Sequence, residues 1–270
     1  MSSRFLNALV LGLTIASSAM AQQAKPPLRI CADPDNAPYS VRDGSGFDNR
    51  IARLLAQEIG RKPVFVWARE RRGFIREQFN KNACDVLMGV PAGMRSVLTT
   101  EPYYRSTYVF VTRAQDRLQP VSFSDPKLNH RRIGLQILEE DLSPPSLPLI
   151  RNGHAGQLVG FESFGTHATD ILRAVQKRKI DMAVVWGPLA GFYAGRSSGL
   201  ALTPVAPQVD SGIPFTFALA VGVHKSDSRL QQDLDRAIEA RQADIRRILA
   251  SDHVPLLPLD RSPQGNGGPR

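Results

Sequence analysis

From Leu28 onward the chain alternates short apolar runs with stretches where apolar residues return every three or four positions. Leu28–Ala32, Pro63–Trp67 and Asp85–Val90 are apolar runs without polar alternation, as expected of strands covered on both faces. Between the first two, Phe47, Ile51, Leu54, Leu55 and Ile59 recur at helical spacing, and Gly60 closes that helix. Phe74, Ile75 and Phe79 form the apolar side of a shorter helix before the third run. This βαβαβ order favours a parallel sheet with crossover helices.

A second alternation follows the strand Tyr108–Thr112 and the polar linker Ala114–Pro126. Its strands are Arg132–Leu135, Leu158–Phe161, Met182–Trp186 and the weaker Leu200–Val205. Ile171, Leu172 and Val175 mark one helix, and Leu189–Ala194 another. Glu139–Gly156, rich in Pro, Ser and Gly, reads as irregular. Phe215–Val221 is apolar again and returns to the first unit. Leu230, Leu234, Ile238, Ile245 and Leu249 trace one long helix starting near Ser226 or Asp227. Val254–Leu259 is expected to pack back on the first unit, and Ser262–Arg270 to be a disordered tail. The pattern predicts two α/β lobes, residues 22–113 plus 212–260 and residues 114–211. Crossings near Arg113 and Ser211 would form a hinge that closes over a ligand.

Met1–Ala21 has the marks of a secretory signal peptide: Arg4, an apolar core over Leu6–Ala16, and the small-x-small site Ala19-Met20-Ala21. Its apolar run is too short for a membrane span. The expectation is an exported periplasmic protein without membrane insertion. Removing Arg4 lowers the net charge of +9 by one. That excess reads mainly as solubility, with attraction to an acidic partner as the sharper alternative. Scattered arginines and export argue against nucleic acid. In an oxidising compartment Cys31 and Cys84 are free to form a disulfide or to remain two buried thiols.

Catalytic signatures are missing. His130, His154, His167, His224 and His253 lie far apart, none with a second ligand at metal-binding spacing. There is no GxSxG elbow, phosphate loop or dinucleotide fingerprint. The reading is a binding protein rather than an enzyme, with no catalytic residue, metal or cofactor.

In open α/β sheets ligands bind beyond the carboxyl ends of the strands. That rule places the working surface at Val90–Met94, including Val90 and Pro91 with Arg95 nearby, and at Glu101–Arg105. Tyr103, Tyr104 and Arg105 are expected on a connecting loop there. Asp33 and Asn36, in the loop Asp33–Tyr39, would either bind a ligand or make side-chain-to-backbone turn bonds. Arg71 and Arg72 belong to the densest basic cluster and would face the cleft or lie on the surface.

The element order resembles the type II periplasmic solute-binding proteins of ABC transporters, in the amino-acid-receptor group. The landmarks are Asp33–Tyr39, Gly46-Phe47-Asp48, Cys84-Asp85-Val86, Glu101-Pro102-Tyr103-Tyr104 and Val221–His224. CADPDNAPYS, RRGF, CDVLMGVPAG, TTEPYYRSTYVFVTR and DMAVVWGPLAGFYA resemble, more narrowly, the MxaJ/XoxJ branch of homologues associated with quinoprotein dehydrogenases. That resemblance implies help in maturation or activity of a pyrroloquinoline-quinone (PQQ)-dependent methanol dehydrogenase. Its cytochrome c and a small-molecule ligand are further candidate partners. The alternative is an importer receptor for an amino-acid-like or carboxylate solute. Amino-acid receptors usually carry an acid after the strand that here is Met182–Val185, where this chain has Trp186 followed by Gly187-Pro188. They also place an arginine after the third strand, a position Arg95 approaches. The cleft is therefore expected to be rich in rings, from Tyr39, Phe74, Tyr103, Tyr104 and Trp186, with Pro188 beside the last.

Overall fold

A computed structural model describes residues 25–138, 141–196 and 199–259. The expected signal peptide and the tail 261–270 lie outside these described residues. In chain order the principal elements are β1 (Leu28–Ala32), α1 (Phe47–Glu58), β2 (Pro63–Trp67), β3 (Val86–Pro91) and β4 (Tyr104–Arg113). Then come β5 (Ile133–Leu138), α2 (Ser146–Arg151), β6 (Leu158–Glu162), α3 (Asp170–Gln176), β7 (Met182–Trp186) and α4 (Gly187–Arg196). The last are β8 (Leu200–Pro204), β9 (Thr216–Val223), α5 (Ser228–Ala240) and α6 (Gln242–Ser251).

The main hydrogen-bonded path runs β6-β5-β7-β4-β9-β3-β1-β2. At one end β1 pairs in parallel with β2 and β3; at the other β5 pairs in parallel with β6 and β7. The antiparallel strands β4 and β9 join the two parallel groups. This is a mixed α/β fold of two lobes. Each lobe has apolar clusters on both faces of its sheet, which explains strands that read as continuous apolar runs.

β4 pairs through Tyr104–Thr107 with β9, and through Tyr108–Val111 with β7. The pairing therefore changes between Thr107 and Tyr108, upstream of the expected crossing at Arg113. On the return, Phe215 belongs to the second lobe's core while Thr216 opens β9, so that crossing lies beyond Ser211.

Three local expectations need correction. Within Glu139–Gly156 the chain forms α2, with Pro145 at its N-cap and Pro148 in its first turn. First-turn N–H groups have no partner inside a helix, so a missing one costs little there. The single long helix is two. Asp227 caps the first through a bond from Leu230 N–H (3.0 Å), and the break falls at Arg241, whose φ and ψ are −106° and 13°. Tyr104 and Arg105 are not on a loop: Tyr104 begins β4, opposite Leu219, and only Tyr103 lies just before the strand.

Cys31 and Cys84 form a disulfide with Cα atoms 5.4 Å apart, beside Phe74 and Phe79. After α6 the run Asp252–Leu257 lies along the hinge. Asp252 pairs with Arg50 of α1, and Val254 enters the first lobe's core. Ser106 Oγ donates to Pro255 O (2.6 Å), and Leu257 N–H donates to Arg105 O (2.9 Å). On its other side the run meets α4 of the second lobe. A Cβ at Gly191 would fall 2.0 Å from His253 O, and one at Gly195 2.0 Å from the His253 ring. Glycine every fourth residue is what lets this backbone lie so close.

Candidate functional site

A cavity of about 350 Å³ lies between the lobes. Its wall is built from the carboxyl ends of parallel strands on both sides, as the topology of open α/β sheets dictates. The first lobe supplies Asn36 and Tyr39 after β1, and Pro91 at the end of β3. The second supplies Gln136 and Leu138 from β5, Ser163 and Phe164 after β6, and Trp186 at the end of β7. The crossing strands add Tyr108, Phe217 and Leu219.

Rings dominate this wall. Trp186 makes edge contacts with Tyr108 (centroids 5.3 Å apart) and with Phe217 (5.7 Å). Burial pushes the hydroxyls of Tyr39 and Tyr108 above their ordinary pKa, so both stay neutral. Gln136, 5% exposed, accepts the Trp186 backbone N–H on its Oε1 (2.8 Å). Its Nε2 donates to no group among the described residues. Among the described residues, none that lines the cavity is charged.

A second void, about 30 Å³, lies on the first-lobe side of Asn36 and Tyr39, which line both spaces. It has room for about one water, and its lining includes Asp33, Asp48 and Glu70. Asp33 accepts the backbone N–H of Asp35 (2.8 Å) and of Glu70 (2.7 Å), so its turn bonds are made. Asn36 Nδ2 donates to Glu70 (3.2 Å). Asp48 is 7% exposed and accepts the Tyr103 hydroxyl at 2.7 Å. Burial raises its pKa to about 7 against the lowering effect of that bond, and Glu70 adds to the rise.

Among the residues singled out by sequence, Asn36, Tyr39, Pro91 and Trp186 meet around the larger cavity. Asp33 and Phe74 line the small void. Tyr103 and Tyr104 sit in the first lobe's core around α1, where Tyr104 meets Phe47 edge-on (6.1 Å). Val90 packs near the disulfide, and Pro188 is buried in the first turn of α4. Arg71, Arg72 and Arg95 lie on exposed loops lining neither void. Arg105 donates to Gln208 at 3.0 Å. Sequence reasoning missed Gln136, Tyr108, Phe164 and Phe217. The strand-end rule that found Trp186 points equally to Gln136 and Phe164; Tyr108 and Phe217 follow only from where the crossings fall.

Among the described residues no group of three or more His, Cys, Asp or Glu could hold a metal ion, and no helix is long and apolar enough to cross a membrane.

Comparison with known proteins adds the following. The profile of the bacterial extracellular solute-binding proteins, family 3, matches residues 28–250. Protein MoxJ of Methylorubrum extorquens is 34% identical over 267 residues, covering 91% of this chain and 88% of that protein. The crystal structure of MxaJ from Methlophaga aminisulfidivorans MPT superposes with a TM-score of 0.75 at 29% identity, covering 85% of this chain and all of that one. The periplasmic binding protein XoxJ from Methylobacterium extorquens AM1 gives 0.72 at 33% identity, covering 86% of this chain and all of its own.

Proposed function

Because the chain belongs to the bacterial extracellular solute-binding proteins, family 3, whose members bind rather than catalyse, we propose that it is a periplasmic binding protein serving a dehydrogenase rather than an importer. Its partner in this reading is a PQQ-dependent methanol- or alcohol-type dehydrogenase, whose maturation or activity it assists, with the associated cytochrome c nearby. Likeness to MoxJ, MxaJ and XoxJ over most of the chain supports the branch. The observation that carries the departure from solute delivery is the lining of the interlobe cavity, uncharged among the described residues. An amino acid would bring a desolvated ammonium and carboxylate there, and burying unpaired charge costs several kcal/mol per ion.

Affinity capture of the mature protein from a periplasmic extract tests this. The dehydrogenase is the expected co-purifying protein. Recovery of an importer permease instead, with no dehydrogenase in repeated captures, would overturn the proposal. The importer reading predicts tight binding of an amino acid or small carboxylate. At one hundred times its dissociation constant such a solute would stabilise the protein by about 2.7 kcal/mol. A thermal-shift series with those solutes is expected to be flat.

A further inference from the structure

We infer that the interlobe cavity takes a neutral small molecule built on one or two fused rings and carrying a carbonyl-type acceptor. The inference rests on the binding-protein reading of the cleft, but not on the identity of the dehydrogenase.

Size, walls and polarity each narrow the occupant. An apolar cavity of about 150 Å³ suffices for benzene, so about 350 Å³ accommodates one or two rings with substituents. Trp186, Tyr108 and Phe217 form a connected set of edge contacts on the cavity wall, with Tyr39 and Phe164 completing the ring-bearing surface. Aromatic walls of this kind favour offset and edge-on packing against another flat ring.

The polar groups then fix which atom the ring carries. Gln136 is buried and faces the cavity, and its Oε1 is already taken by Trp186 N–H. What remains is an amide NH₂ with no acceptor among the described residues. The Tyr39 and Tyr108 hydroxyls have no hydrogen-bond partner there either. A ligand that covers the Gln136 NH₂ without offering an acceptor leaves that donor unmade, which is costly. A carbonyl, amide or quinone-type oxygen on the ligand would satisfy Gln136 Nε2.

Among the described residues the lining carries charge of neither sign. No arginine or lysine among those residues lines the cavity to receive a carboxylate. The carboxylates of Asp33, Asp48 and Glu70 line the water-sized void next to it.

Isothermal titration of the mature protein at neutral pH with three probes sharing one ring tests the inference: benzamide, benzoate and benzylammonium. Benzamide is expected to saturate a single site, with both charged probes at least about tenfold weaker for want of a counter-charge. Trp186→Ala should weaken benzamide about tenfold or more through loss of the central ring. Gln136→Glu keeps an acceptor for Trp186 N–H but replaces the NH₂ donor with an anionic oxygen. It should invert the order and put benzylammonium ahead of benzamide. Thermal melts of both variants establish that they fold, and the wild-type comparison stands without them. A charged probe binding as tightly as benzamide would overturn the inference. So would failure of benzamide to saturate folded wild type, or an unchanged order in folded Gln136→Glu. If benzamide fails while the dehydrogenase is still captured from periplasm, only the ligand class falls. If benzamide binds and no dehydrogenase is captured, the partner assignment falls alone.

Discussion

The two voids share Asn36 and Tyr39 and differ in almost everything else. The larger is walled by rings and aliphatic groups, draws on both lobes, and has no charged lining among the described residues. The smaller belongs to the first lobe alone and brings three carboxyl groups around space for about one water. Among the described residues, charge is thus present next to the cleft and not on its wall. The two meet at Asn36 and Tyr39, which makes the distinction open to mutation.

The largest expected effect comes from removing Cys31, a wall of the small void. Its bridge to Cys84 closes a separation of 53 residues, worth about 4 kcal/mol in the chain-entropy description. Cys31→Ala should lower the urea midpoint accordingly. Below its melting temperature it should still bind benzamide, because the larger cavity does not use the bridge.

Next is the pH dependence set by Asp48. Its folded pKa of about 7 lies above the ordinary carboxylate value of 3.8. Between those values the folded chain holds a proton that the unfolded chain has released, so stability falls as pH rises through this window. The loss is complete above about pH 7 and absent below about pH 4. Relative to Asp48→Asn, which titrates no proton here, wild type should lose up to roughly 4 kcal/mol across it. Urea unfolding of both proteins from pH 4 to 8 measures the difference; a constant gap would contradict this reading of the buried carboxyl.

Tyr103→Phe removes the hydroxyl that Asp48 accepts. The cost should be about 1–3 kcal/mol, greatest at high pH where the carboxylate is charged, with no change in benzamide affinity. The smallest effect is expected from Tyr39→Ala, which joins the two voids. Benzylammonium affinity should rise by about tenfold, near 1.4 kcal/mol, as the probe reaches the carboxylates. Calorimetry on this variant decides whether Tyr39 is the partition.

Much of the fold was legible because buried parallel strands announce themselves as unbroken apolar runs. Val86–Pro91 and Met182–Trp186 show this most clearly. The crossings were placed less well, since one long strand can serve two lobes without a change in pattern: Tyr104–Arg113 is apolar or small nearly throughout. The same continuity hid the burial of Tyr103 and Tyr104. Adjacent tyrosines before a strand suit a binding loop equally well, and only the Asp48 contact reveals why Tyr103 goes inward. Trp186 was found because it stands at a strand end. Gln136 was passed over because a lone glutamine carries no signal until its carbonyl is seen to be occupied.

The run from Asp252 to Leu257 decides how short the protein can be made. A chain stopped at Ser251 would strip Val254 from one lobe and leave the glycine face of Gly187–Arg196 bare on the other. With that clasp gone, the halves should swing over a wider range, and small-angle scattering should register a larger radius of gyration. Additions after Leu259 leave the clasp whole, so affinity tags belong at that end.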